Sequence, residues 1–193
     1  MSKTSRLVLT VAACLTVFVS AAGFAFWMRM KPDAQGRVVP FFENIDMTAH
    51  APFAKAVAGK VSLNFYDGLP HPGWEKEIFD VEIKSQATLK SRGHYFYSSA
   101  ITLSPADAAH VHALAVEVSS FSEWGGMKTC GGYHPDWLIR WTTADGQGHE
   151  MHLCFGCREA KFYGPGYQLY SDISPKAFES FKKVLTPYGS QSR

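Results

Sequence analysis

The residues with the most chemistry to offer lie in two short stretches, CGGYHPDWLIRW from Cys130 to Trp141 and CFGC from Cys154 to Cys157. Together they spell C-x3-H, an apolar hairpin, then C-x2-C. Cys130, His134, Cys154 and Cys157 form a set that zinc takes as a tetrahedron, because thiolates and a neutral imidazole suit it and short spacings let neighbouring side chains turn to one point. Four protein ligands would leave no open position, so such a site would be structural rather than hydrolytic. Calcium and magnesium want oxygen and do not fit.

The same residues admit two other readings. In an oxidising compartment cysteines pair, and the three in the part expected to be exported allow three pairings, each leaving one thiol over. Alternatively Cys154 and Cys157 are working redox thiols, with Arg158 beside them to stabilise a thiolate. A haem link would need His where Arg158 stands. Asp136 follows His134-Pro135 and serves either as the acceptor that orients the imidazole or as a turn cap. The three readings of the cysteines stay open here.

Other polar residues assemble less. His152 and Arg140 are expected to pair across the hairpin on the face that carries Cys154, as an exposed polar sheet face. His110 and His112 fall on different sides of a helix. No nucleophile elbow and no strand–loop–helix setting for a phosphate loop is present in the chain, so no catalytic machinery is assembled by motif.

The elements that must position these residues can be read from periodicity. Trp137 to Thr142 and His149 to Phe155 flank Ala144-Asp145-Gly146-Gln147-Gly148, a turn-rich segment, and read as a β-hairpin. Pairing Trp141 with Met151 sets Ile139 against Leu153 and Trp137 against Phe155, so six apolar side chains share one face. The open end of the hairpin then brings the two cysteine motifs side by side. Lys161-Phe162-Tyr163 extends the sheet. Ile78 to Lys84 alternates and predicts a strand, as do the β-favouring residues from Tyr95 to Leu103. Ser104-Pro105 with Asp107 marks a helix start, and Val111, Leu114, Ala115 and Val118 follow as its apolar face. Ser174-Pro175 repeats the start, with Phe178, Phe181 and Leu185 as the face and Glu179–Lys183 as an exposed pair. The expected fold is α+β, an antiparallel sheet with two helices packed on one face.

Upstream, residues 32–73 are dense in Pro and Gly and read as a linker and irregular arm, with a short helix near Phe53 to Val57. The expected organisation is a signal anchor or signal peptide over 1–31, the arm over 32–73, the domain over 74–188 and a tail over 189–193. The front is a basic start, MSKTSR, and then 22 uncharged residues from Leu7 to Met28, long enough to span a bilayer. An uncleaved anchor stopped by Arg29 and Lys31 competes with a signal cut near Val19-Ser20-Ala21, and Val11-Ala12-Ala13-Cys14 has the look of a lipoprotein box. Of 19 basic residues four lie in residues 1–32, which hold no acid, leaving 15 against 17 acidic ones. A near-neutral domain has no electrostatic footprint for nucleic acid.

The pattern CGGYHPDWLIRW…MHLCFGC resembles a group of small bacterial exported proteins and lipoproteins of unknown function. They share a Cys before a Pro, a hairpin and C-F-x-C, over about residues 100–186 of this chain. The resemblance implies an envelope location and a cysteine-centred feature, and no activity. The expectation is a membrane-tethered binding or accessory domain facing the periplasm, or exported if the signal is cleaved. Its Cys/His cluster would be structural. Zinc is the one cofactor suggested, and the membrane (through residues 7–28) or another envelope protein the partner. The alternative is a thiol–disulfide redox protein using Cys154 and Cys157.

Overall fold

The computed structural model describes residues 43–190, with the backbone of two short strands before them. The expected membrane segment, Leu7 to Met28, lies outside the described residues. Among those described, no helix is long and apolar enough to cross a membrane. The chain divides into a unit over Met1–Glu43 and a unit over Asn44–Arg193. In the first, strands β1 (Met30–Pro32) and β2 (Val38–Pro40) pair antiparallel.

The second unit is built on a six-stranded antiparallel sheet in the order β3-β7-β8-β9-β10-β6. The strands are β3 (Val61–Asp67), β6 (Phe121–Glu123), β7 (Trp137–Thr143), β8 (Gly148–Cys154), β9 (Glu159–Gly164) and β10 (Tyr167–Ile173). A separate hairpin joins β4 (Thr88–Ser91) to β5 (His94–Tyr97). The helices are α1 (His50–Val57), α2 (Lys76–Ser85), α3 (Pro105–Val116) and α4 (Pro175–Leu185). The fold is thus α+β with an antiparallel sheet.

Alternation divides the sheet into two unlike faces. One row across it is Phe65, Ile139, Met151, Phe162 and Leu169, and the neighbouring row on that face includes Trp137, Leu153 and Ala160. These residues form the core with Phe53 and Val57 of α1, Val111 and Ala115 of α3, and Phe178, Phe181 and Leu185 of α4. Three helices therefore share the apolar face, one more than the two expected. The Ser104 cap forms as expected, its Oγ accepting the Asp107 N–H at 3.1 Å. Ser174 makes no side-chain cap bond, although its Ser-Pro start is the same. Val118, expected on the apolar face of α3, is beyond the end of that helix and 54% exposed.

The hairpin keeps the expected face but not the expected register. Trp137 opposes Leu153, Ile139 opposes Met151 and Trp141 opposes His149. The shift is two residues, which leaves every side chain on its face because the strand period is two. Its consequence is that Arg140 pairs with Glu150, not His152, and Leu138 opposes His152, not Cys154.

Two further expectations are corrected. Ile78 to Lys84 is not a strand but the body of α2. Phe79 and Ile83, four apart, face the protein half-buried, while Ile78 and Val81 are exposed. The same residues satisfy both periods over so short a run. Lys76 pairs with Asp80 one turn on, and Glu77 and Lys84 sit at the ends the helix dipole favours. The domain boundary also moves. Residues from Asn44 onward belong to the compact unit, since α1 contributes to the core and β3 pairs along its whole length with β7. Gly59 and Gly68 bracket β3 rather than loosening it, and alternation of Val61, Leu63 and Phe65 was the signal beneath the breakers. The strand expected over Tyr95 to Leu103 is shorter: β5 ends at Tyr97, and Ile101 makes only an isolated bridge to Phe65.

Candidate functional site on the disulfide-pinned face

The second face of the sheet carries polar rows. Leu138, His152, Lys161 and Tyr170 align across four strands, flanked by Arg140, Glu150 and Tyr163 on one side and Cys154, Glu159 and Asp172 on the other. The segment between β6 and β7 covers one part of this face and the β4–β5 hairpin another. His152 is fully buried, and Glu159 and Lys161 are nearly so.

Buried charges persist only when paired and hydrogen-bonded, and these are. Glu159 Oε1 accepts from Trp124 Nε1 at 2.9 Å and from Lys128 Nζ at 2.8 Å, and its Oε2 accepts from Tyr170 OH at 2.7 Å. Lys128 also reaches Asp172 at 2.5 Å. The Lys161 ammonium sits over the rings of Tyr133 and Tyr170, 4.6 and 4.2 Å from their centroids. Glu150 accepts from Arg140 at 2.6 and 2.9 Å and from Ser91 Oγ at 2.6 Å. Burial pushes the Glu150 carboxyl up, but the donors of His152, Ser91 and Arg140 outweigh it and hold it down at about 2. His94, edge-on to the rings of Tyr133 and His152, is lowered to about 4 by burial and by the positive charge of its neighbours.

The covering segment is pinned by its cysteines. Cys130 and Cys157 are joined as a disulfide, their Cα atoms 5.5 Å apart. Gly131 and Gly132 follow with φ of +83° and +100°, the left-handed turn that only glycine adopts freely. The turn lets the Trp74 indole pack against Gly131 and donate to the Cys130 carbonyl at 3.1 Å. Tyr133 OH donates to the His152 carbonyl at 2.9 Å, and the Asp136 N–H donates to the Leu153 carbonyl at 2.7 Å.

The expected site residues are therefore brought close but divided. Cys154 is a free, buried thiol, and the Cys157 N–H donates to its sulfur at 3.3 Å. Burial pushes that thiol up to about 11. The His134 ring lies tilted against that of His71, centroids 4.9 Å apart, and hydrogen-bonds the Leu69 backbone, and burial lowers its pKa to about 4. Asp136 does not orient it: its carboxylate accepts the Phe155 N–H at 2.5 Å, across the hairpin. Burial raises that carboxyl to about 6. Arg158 has φ +57°, and its guanidinium lies over Phe178 rather than beside a sulfur. With two of the three sulfurs joined to each other, no group of His, Cys, Asp or Glu able to hold a metal ion is assembled among the described residues.

A second feature had no signal in the sequence. A cleft of about 710 Å³ opens between α2, the end of β3 and the segment after α4, and Asp67, Glu75, Glu82 and Tyr97 line it. Glu75 and Glu82 belong to α2 and its N-cap, Asp67 to β3 and Tyr97 to β5, so no local motif could announce them together.

No family model, curated protein or solved structure matches the chain.

Proposed function

We propose that this chain is a membrane-tethered extracytoplasmic domain that binds a ligand or partner in the cell envelope, held at the inner membrane by residues 7–28 and facing the periplasm. The observation that carries the reading is the Cys130–Cys157 link, which fastens a glycine-turned covering segment over a buried ionic network. Such bonds persist in oxidising compartments. The basic start and the uncharged run of 22 residues supply the means of export. The free thiol weighs against the thiol–disulfide alternative. A thiol pushed to about 11 is almost wholly protonated at neutral pH, and the thiolate is the nucleophile.

Reporter fusions after Arg193 test the placement. Alkaline phosphatase, which needs disulfides, should be active there and β-galactosidase inactive, with the product retained in the membrane fraction. The opposite pattern would overturn the proposal.

A further inference from the structure

We infer that the cleft beside α2 binds a small organic cation, an ammonium or guanidinium group carried on a short aliphatic body. Its volume of about 710 Å³ lies within the range of small-molecule sites. Asp67, Glu75 and Glu82 line it, and no Lys or Arg does among the described residues. The donors that meet these carboxylates inside the cleft are neutral: Tyr97 OH to Glu82, and the Ser190 N–H and hydroxyl to Asp67. They orient the oxygens without cancelling the charge.

The electrostatics of the walls agree. Burial, with the nearby Glu82 charge, raises the Asp67 carboxyl. Burial and the Glu82 hydrogen bond push Tyr97 to about 12. Groups crowded by like charge are relieved when a cation enters. A metal ion is the poorer match, because no set of side chains is arranged to hold one among the described residues, while Ile78, Pro70 and Ile101 give the cleft apolar walls. α2 buries none of its residues fully, and Ile78 is 51% exposed, so this wall is not packed shut. An aliphatic body along the apolar side with its charged head among the carboxylates satisfies both halves of the lining. The inference holds whichever side of the membrane the domain occupies.

The test is calorimetric titration of the full chain in detergent micelles with pentylamine, with 1-pentanol as the uncharged analogue and calcium chloride as the metal. Pentylamine should bind saturably, and pentanol and calcium should not. Glu82→Gln should weaken pentylamine about tenfold, the loss of one charge–charge contact. If that variant fails to fold, Glu75→Gln, at an exposed position, decides the matter, with the same weakening expected. Absence of saturable pentylamine binding, calcium binding as tightly, or full affinity retained in a folded variant would each overturn the inference.

Discussion

Trp124, Lys128 and Tyr170 converge on the carboxyl group of Glu159, a residue only 2% exposed. Glu159→Ala leaves the buried Trp124 and Tyr170 donors without the acceptor they share and should destabilise the domain by about 2–4 kcal/mol, read from urea unfolding. A change under about 1 kcal/mol would show that the network is solvated. Glu159 lies just ahead of the Lys161-Phe162-Tyr163 strand read from the sequence, and nothing local reveals its partners, which lie 11 to 35 residues away. Pairing of the cysteines was equally hidden. Spacing allows three pairings, and only the path of the segment before β7 selects Cys130 with Cys157. Asp136 reaches Phe155 across the hairpin, 19 residues on, a partner that neither alternative read from the sequence named.

At the scale of elements, the period-two pattern fixed which side chains of the hairpin face the helices, but a slip of two residues preserves that pattern, so it could not fix the register. The turn decides it. The Thr143 N–H donates to the Gln147 carbonyl at 3.0 Å and Gly146 N–H to the Thr143 carbonyl at 2.9 Å, closing the loop two residues tighter. α2 shows the converse failure, a run short enough to satisfy both periods. The junction of β3 with the covering segment offers a direct check. Gly68 N–H donates to the Asp136 carbonyl at 2.7 Å, and a Cβ at Gly68 would stand 2.3 Å from the Pro135 carbonyl oxygen. Gly68→Ala should therefore lower stability by about 1–3 kcal/mol. Gly59→Ala, whose Cβ would meet nothing within 4 Å, should stay within about 0.5 kcal/mol of the parent. Equal melting temperatures for the two variants would contradict the junction.

Over the whole molecule the buried ionisable groups give a defined acid limb. His94 has a folded pKa of about 4 against 6.5 unfolded, so the unfolded chain takes up the proton first. Its contribution is complete above pH 6.5 and is lost as pH falls from 6.5 towards 4, at a slope of at most about 1.4 kcal/mol per unit, reduced by partial exposure. Glu150, at about 2 against 4.5, adds a second loss from 4.5 downward. Asp136, raised from 3.8 to about 6, acts oppositely, because the folded state binds its proton first and gains stability between those values. Stability should thus fall gently below pH 6.5 and steeply below 4.5. His94→Asn should flatten only the upper part, measured by urea midpoints across that range. An unchanged slope would place His94 in solvent. The domain's beginning was misread at this scale too, because Pro and Gly density outweighed the alternation of β3 in a stretch without long-range information.

The account turns on how the sulfurs of Cys130, Cys154 and Cys157 are distributed, and peptide mapping of the full chain, isolated without reductant or chelator and alkylated while folded, reads that directly. The predicted result is one linked peptide pair joining Cys130 to Cys157, with Cys154 labelled only after unfolding. Three reduced thiols released together with one zinc ion, or a Cys154–Cys157 link, would contradict it.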